Sequence, residues 1–225
     1  MKKTAIVSLC FVLCLLSFAT LAAVELKTDK QKLSYALGAY YSLGIKQQNI
    51  DLDLPTFLQA VEDSLKKVPL QMTESEIETV LNQYKEKLAS ERVTVASTNK
   101  TTGQKFLETN KTKAGVVTLP SGLQYKIIRN SNGAKPSGDN KVKVHYKGTL
   151  IDGTVLDSSY DRGEPVSFNI PEVIKGWQEV LPLMNVGSKW QVYIPPDLAY
   201  GDRGAGNAIA PNSTLIFEIE LIGIN

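Results

Sequence analysis

The chain has 225 residues, of which 43% are apolar and 21% charged, values that exclude wholesale disorder and allow one or two domains. Its 25 basic and 23 acidic residues give a formal net charge of +2, which falls to zero if Lys2 and Lys3 are removed with a leader segment. A chain without a basic excess does not fit proteins that bind nucleic acid through its phosphates.

Residues 1–23, MKKTAIVSLCFVLCLLSFATLAA, have the three parts of a secretory signal peptide: two lysines, an apolar run and small residues at the end. An uncleaved membrane anchor is the alternative, because the run approaches the ~20 residues that span a bilayer. Cys10 and Cys14, the only cysteines, both lie in this segment. The mature protein is therefore expected to be exported and to have no disulfide bond.

Residues 24–113 are predicted to form helices. In KLSYALGAYYSLGIK, apolar residues recur from Leu33 and Leu37 onward at the spacing of an amphipathic helix. Pro55 suits the first turn of a second helix, and Thr73 with Glu76 forms a capping box that opens a third. The apolar stripes of the last two helices are Leu54, Leu58, Val61 and Leu65, then Ile77, Leu81, Tyr84 and Leu88.

These short helices have few apolar neighbours within one chain. Pairing with a second copy would bury their stripes, so a homodimer through this half is expected; a self-contained three-helix bundle is the alternative. From Ser90 to Lys113 the sequence is mostly polar. We predict a solvated connecting helix there, with a flexible linker as the alternative.

After Gly115 the apolar period becomes two, which is typical of strands. Six segments qualify, and Asp152-Gly153 predicts a hairpin turn between the second and third. The segment PEVIKGWQEVLPLM keeps helical spacing between the fourth and fifth strands. The prediction is an α+β domain over residues 115–225, in which a twisted antiparallel sheet of five or six strands packs on one short helix.

His145, the single histidine, is the obvious candidate for a general base. In KVKVHYKGTL, however, alternation places Val142, Val144 and Tyr146 on one face and His145 with Lys141 and Lys143 on the other. His145 is therefore expected to be an exposed surface residue. Tyr146 points inward, where it is either a core residue or a functional one.

The sequence contains no motif of covalent, metal-dependent or nucleotide-dependent catalysis: no GxSxG, HExxH or CxxC, no phosphate loop and no dinucleotide fingerprint. One histidine and no mature cysteine exclude the usual triads and most transition-metal sites. The carboxylates of LDSSYDRGEP and EVIKGWQE are read as solvated turn residues. Any activity is expected to need neither cofactor nor metal.

The C-terminal half, from GVVTLPSGLQYKII through VKVHYKGTLIDGTVLDSS and PVSFNIPEVIKGWQEVLPLMNVGSKWQVYIPPDLAYGDRG to IAPNSTLIFEIELIGI, resembles FKBP-type peptidyl-prolyl cis-trans isomerases. The N-terminal half, with LSYALG and LPTFLQAVED, resembles the Mip-like (macrophage infectivity potentiator) periplasmic branch. The resemblance implies a periplasmic homodimer, with association with the outer membrane or the cell surface as further locations. It divides the chain into a signal peptide (1–23), a dimerisation domain (24–72), a connecting helix (73–114) and an isomerase domain (115–225).

The resemblance also implies a proline-binding pocket. Its catalytic residues would be Tyr146, Asp157, Tyr200 and Phe217, and its substrate-binding residues Leu156, Phe168, Val173, Ile174, Trp177 and Ile209. Trp177 would form the floor, while the Ile174 N–H and the Tyr200 hydroxyl would bind substrate carbonyls. Leu156, Val166 and Ala205 depart from the family's usual residues, which affects the expected binding of macrolide inhibitors and the residue preference before proline more than the activity.

The function implied is isomerisation of X–Pro bonds in exported polypeptides by non-covalent stabilisation of the twisted amide, which assists folding. Such catalysis needs no acid or base, in keeping with the missing motifs. Two alternatives use the same fold without catalysis: a holdase chaperone, and a surface or host-interaction protein.

Overall fold

The structure is a computed structural model that describes residues 25–48 and 50–225. The proposed signal peptide, its alternative as a membrane anchor and both cysteines lie outside these residues. The described residues fall into two compact units that divide after Asp51. Within the described ranges, no helix combines the length and apolar character needed to cross a membrane.

Helix α1 spans Asp29–Gln47, and helix α2 spans Leu54–Lys66. Thr28 caps α1 with a capping box that includes Gln31, while the Asp53 side chain accepts a hydrogen bond from the Thr56 N–H at the start of α2. Neither helix has a buried residue, so their apolar stripes are exposed in the single chain.

Helix α3 spans Glu74–Asn110 and begins at the predicted capping box of Thr73 and Glu76. The prediction of a helix over the polar segment after Ser90 is therefore confirmed, and the flexible linker is excluded up to Asn110. The expectation that this segment is solvated is wrong on one face, because Gly103 and Asn110 are buried: Gly103 faces Thr214, and Asn110 Nδ2 donates to Gln124 Oε1.

The C-terminal half contains seven antiparallel strands: β1 (Val116–Thr118), β2 (Gln124–Arg129), β3 (Lys141–Leu150), β4 (Val155–Ser158), β5 (Val166–Asn169), β6 (Lys189–Ile194) and β7 (Leu215–Ile224). Their order is β1-β2-β6-β7-β3-β4, and β5 also pairs with β3. The α+β class is confirmed. The count of five or six strands is too low, because β1 has three residues and shows no alternation long enough to detect.

Helix α4 spans Lys175–Val180, with a turn of 3₁₀ helix before it (Ile170–Glu172) and another after it (Leu181–Leu183). The single longer helix predicted over PEVIKGWQEVLPLM is thus interrupted, since Pro171 and Pro182 each start a new 3₁₀ turn. Trp177 and Val180 are buried on the sheet. Their partners include the inward residues of β3, β6 and β7, among them Val142, Val144, Val192, Ile219 and Leu221.

Candidate functional site

A cavity of about 580 Å³ opens between α4, the inward face of the sheet and the segment after β6. All ten residues that the family resemblance implied line it, although they come from separate parts of the chain: Tyr146, Leu156, Asp157, Phe168, Val173, Ile174, Trp177, Tyr200, Ile209 and Phe217. Glu172, Ala205 and Ala208 complete the wall. The fold thus brings every predicted site residue to one place.

Trp177 lies at the floor of this cavity with 4% of its surface exposed. Three aromatic rings meet it edge to face, with centroid distances of 5.4 Å to Tyr146, 5.6 Å to Phe168 and 5.4 Å to Phe217. Each such pair contributes about 0.5–1.5 kcal/mol beyond the area it buries, so the indole is held in one orientation. Its Nε1–H has no hydrogen-bond partner among residues 25–48 and 50–225.

Phe217 reaches the cavity because β3 has a glycine beside it. Gly148 pairs with Phe217 across the β3–β7 ladder. A Cβ atom on Gly148 would lie 2.6 Å from Phe217 Cε1, closer than real side chains approach. Gly148 therefore makes room for the ring at this point of the wall.

One edge of the cavity is polar. Tyr146 donates its hydroxyl hydrogen to Asp157 Oδ2, and Arg162 forms an ion pair with Asp157 Oδ1. Arg162 Nη2 also donates to the Tyr146 hydroxyl at 3.0 Å, so the three side chains close a ring of hydrogen bonds. The phenol and the carboxylate are thereby held in place at the rim of an otherwise apolar space.

This ring sets the charge state of the polar edge. Burial raises the pKa of Tyr146, and the hydrogen bond to Asp157 raises it further. Partial burial also raises the pKa of Asp157, but the hydrogen bonds from Tyr146, Arg162 and the Ser158 N–H outweigh it, so its pKa lies below the usual value. Near neutral pH, Tyr146 is therefore a neutral donor and Asp157 an anion.

Ile174 and Tyr200 lie on the cavity wall where backbone direction changes. Ile174 is the N-cap residue of α4, and its carbonyl accepts hydrogen bonds from the N–H groups of Trp177 and Gln178. Tyr200 follows the 3₁₀ turn Pro196–Leu198, and 40% of its surface is exposed. Both residues line the cavity.

Sequence reasoning missed Arg162, Glu172 and Ala208. Arg162 lies five residues after Asp157 in a turn, a pattern shared by many solvated ion pairs, and only the fold brings its guanidinium to Tyr146. Of the family departures, Leu156 and Ala205 line the cavity, whereas Val166 packs against the core beside it.

His145 lies on the outer face of β3, as alternation predicted, but it is half-buried rather than exposed. Its ring stacks on Tyr160 at 4.7 Å, and its Nδ1 is 3.0 Å from Ser159 Oγ. The segment after β4 carries both partners over this face, which sequence alternation in β3 cannot reveal. His145 is not among the residues that line the cavity.

Comparison with protein families gives two adjacent matches. A family model described as FKBP-type peptidyl-prolyl cis-trans isomerase matches residues 132–222. A second model, described as the domain amino terminal to FKBP-type peptidyl-prolyl isomerase, matches residues 30–127. Together they extend over helices and sheet alike.

Curated relatives and a solved structure agree with these matches. The outer membrane protein MIP of Legionella longbeachae is 45% identical over 212 residues, covering 92% of this chain and 91% of that protein. The peptidyl-prolyl cis-trans isomerase Mip of Coxiella burnetii is 41% identical over 207 residues and covers 90% of both chains. The crystal structure of FkpA from Escherichia coli superposes with a TM-score of 0.62 at 37% identity, covering 89% of this chain and 99% of FkpA.

Proposed function

The chain belongs to the FKBP-type peptidyl-prolyl cis-trans isomerases, and we propose that its aromatic-floored cavity is where X–Pro bonds are isomerised. The observation that carries this proposal is the convergence of ten residues from β3, β4, β5, β7, α4 and the segment after β6 on one apolar cavity with a single polar edge. A cavity of that kind fits a proline ring next to an amide carbonyl.

The physical demand of the reaction matches such a site. Rotation about an X–Pro bond breaks amide resonance over a barrier of roughly 18–20 kcal/mol, and takes tens to hundreds of seconds without a catalyst. The twisted amide has lost charge separation between oxygen and nitrogen, so apolar surroundings suit it better than they suit the planar forms. Each ~1.4 kcal/mol of preferential binding of the twisted form gives about a tenfold faster reaction.

In this proposal Trp177 supports the proline ring, and Phe168 and Phe217 close the sides. Asp157 and Tyr146 shape the edge along which the substrate carbonyl turns, and Arg162 holds both of them in place. The Ile174 N–H and the Tyr200 hydroxyl bind carbonyls on either side of the proline. In this scheme no proton leaves the enzyme and no covalent bond forms, because preferential binding of the twisted amide is sufficient for catalysis.

A protease-coupled assay of the full mature chain on short X–Pro peptides tests this proposal. We expect a rate well above that of the uncatalysed peptide, and a loss of most of the enhancement in Trp177→Leu, which keeps an apolar side chain but removes the flat indole floor. A folded wild-type protein that leaves the peptide at its uncatalysed rate would favour the non-catalytic holdase or surface protein instead.

We further propose that residues 24–72 form a dimerisation domain, that residues 73–114 connect it to the isomerase domain, and that the protein is a homodimer. The support is the exposure of large apolar side chains on α1 and α2, such as Tyr40 at 73% and Leu65 at 79%. Apolar stripes left open within one chain mark interaction surfaces, and a second copy supplies matching stripes.

Export to the periplasm is proposed for the mature protein. The signal-like residues 1–23 support it, and one relative is named an outer membrane protein. Exported polypeptides that contain X–Pro bonds would then be the substrates. Mass spectrometry of the N-terminus of protein taken from the periplasmic fraction would identify the cleavage site, and a chain that retains Met1 would contradict cleavage.

A further inference from the structure

The segment between β6 and β7 forms part of the cavity wall and touches α3. Residues 201–213 of this segment, called here the pocket loop, contribute Ala205, Ala208 and Ile209 to the cavity. Between its two ends the loop has a narrow bridge, in which Ala205 and Ile209 exchange N–H···O bonds of 2.8 and 3.1 Å. Three further hydrogen bonds support the loop: Gly204 N–H to Tyr200 O, Asn212 N–H to Gly201 O, and the Ser213 hydroxyl to Ala210 O.

Helix α3 holds both ends of the pocket loop. Near the beginning, Arg92 Nη2 donates to the Arg203 carbonyl at 2.5 Å. Near the end, Asn99 Nδ2 donates to the Pro211 carbonyl at 2.9 Å and lies 3.4 Å from Ser213 Oγ. These bonds join residues more than a hundred positions apart, so they tie the helix to the loop rather than to its own neighbours.

Asn212, the residue after Pro211, also bonds to α3. Asn212 has a left-handed backbone, with φ of 57°, and its Nδ2 donates to the Ala96 carbonyl of α3 at 3.3 Å. Asparagine tolerates this conformation better than most residues, and its side chain is then free to reach outward. The helix therefore supports the loop at the turn where its backbone is least favourable.

One turn after Asn99, the backbone of α3 approaches Thr214, the residue that follows the pocket loop and precedes β7. Gly103 is buried, and a Cβ on it would lie 2.3 Å from Thr214 Oγ1. That hydroxyl is itself buried and has no hydrogen-bond partner in the described residues. Close approach is possible only because position 103 has no side chain.

From these contacts we infer that Arg92, Asn99 and Gly103 of α3 are positioning residues for catalysis: Arg92 and Asn99 hold the pocket loop, and Gly103 lets the helix approach Thr214 at the end of that loop. Ala208 lies between the two regions: it lines both the main cavity and a smaller cavity of about 170 Å³ bordered by α3, the pocket loop and residues 150–152. The helix before the isomerase domain thus supports one wall of the substrate site without lining it.

The first test removes the side-chain amide donor of Asn99 while keeping the size of the side chain. Asn99→Asp removes the amide donor to Pro211, and Asn82→Asp makes the same change at an exposed position on α3. In the full chain, kcat/KM on an X–Pro peptide is expected to fall about fivefold, the effect of one hydrogen bond. The change should appear in KM, with kcat and the melting temperature close to wild type, because the aromatic floor is untouched.

Amide hydrogen exchange distinguishes positioning from general destabilisation. In Asn99→Asp, amides of the pocket loop should exchange faster while those of β3 and β7 stay protected; in Asn82→Asp neither should change. Loop exchange and KM equal to wild type would overturn the inference. So would a loss of kcat at constant KM, which indicates a smaller folded fraction.

The second test uses the close contact between Gly103 and Thr214. Gly103→Ala should weaken peptide binding, because its Cβ displaces Thr214, whereas Thr214→Ala should resemble wild type, since its hydroxyl has no partner. The double variant Gly103→Ala/Thr214→Ala should recover most of the wild-type KM. A double variant as impaired as Gly103→Ala, or one that does not fold, contradicts the inference.

The inference rests on the proposed use of the cavity, and the same measurements separate the two failures. An inactive wild-type chain overturns the proposed function. An active wild-type chain whose KM is unaffected by Asn99→Asp and Gly103→Ala overturns only the role of α3.

Discussion

Apolar side chains are exposed on the first two helices but buried beneath the C-terminal sheet. Helices α1 and α2 bury none of their residues within the chain, although both have regular apolar stripes. The sheet and α4 enclose a continuous core in which Val142, Leu215 and Leu221 have no exposed surface. The difference teaches that periodicity predicts which face is apolar, while what covers that face depends on the tertiary and quaternary partners.

The largest effect is expected from a matched pair of leucines. Leu221→Ala, at a fully buried position of β7, should lower the free energy of unfolding by about 2–5 kcal/mol, while Leu65→Ala, 79% exposed on α2, should lower it by less than about 0.5 kcal/mol in a dilute monomer. Denaturant unfolding followed by the fluorescence of Trp177 and Trp190, together with far-ultraviolet circular dichroism for the helices, measures both. A similar decrease in the free energy of unfolding for both variants would contradict the difference in burial between the sheet and α2.

The second effect concerns assembly. Leu65→Glu should raise the dissociation constant of the proposed dimer about a hundredfold, because an unpaired carboxylate in an apolar interface is strongly disfavoured. Val117→Glu introduces the same charge at an exposed apolar residue of β1 and should leave assembly unchanged. Sedimentation equilibrium distinguishes them, and a Leu65→Glu protein that dimerises like wild type would argue for another interface.

A third prediction addresses the polar edge of the cavity. Tyr146→Phe removes the hydroxyl that bonds Asp157 and Arg162, and kcat/KM should fall about tenfold, the size expected for hydrogen bonds to charged groups. Tyr160→Phe is its control: that hydroxyl bonds Glu220 on the outer face of the sheet. Equal losses in the two variants would show that the effect is not specific to the cavity.

A smaller effect is expected at the histidine. His145→Ala loses the stack on Tyr160 and the contact with Ser159, so stability should fall by about 1 kcal/mol. Peptide turnover should stay within about twofold of wild type, since the residue does not line the cavity. Turnover that falls with unchanged stability would place His145 in the catalytic site.

The smallest effect is the dependence of turnover on pH. The pKa of Asp157 lies below its ordinary 3.8 and that of Tyr146 above its ordinary 10.0, so neither changes charge from about pH 5 to about pH 9, and kcat/KM should be flat there. Because the pKa of Asp157 is lower in the folded state, its stabilising contribution is present above the unfolded value and is lost as pH falls through the folded one. A bell-shaped profile centred near neutrality would contradict catalysis without proton transfer.

Periodicity and capping patterns along the chain predicted much of the secondary structure. Alternation in β3 correctly turned Val142, Val144 and Tyr146 inward, and the capping box at Thr73 correctly marked the start of α3. The family resemblance supplied the ten cavity residues, which no local rule could have assembled from separate strands. Arg162 and Ala208 were not predicted as site residues, since an arginine in a turn and an alanine in a loop resemble ordinary surface residues.

The part of α3 after Ser90 is the clearest case in which the sequence pattern did not predict burial. Its inner face is Ala96, Asn99, Gly103, Phe106 and Asn110, spaced like an amphipathic stripe but made largely of small and polar side chains. Such a face reads as solvated because hydrophobicity is the usual signal of burial.

The amino-acid sequence was enough to predict the three N-terminal helices, six of the seven strands and the inward face of β3, because these depend on neighbours along the chain. Only the tertiary structure decided what lies against Gly103, how Arg162 reaches Tyr146 and why His145 is covered. Each of these depends on segments distant in sequence meeting at a hydrogen bond or a close backbone contact, and no periodicity records such a meeting.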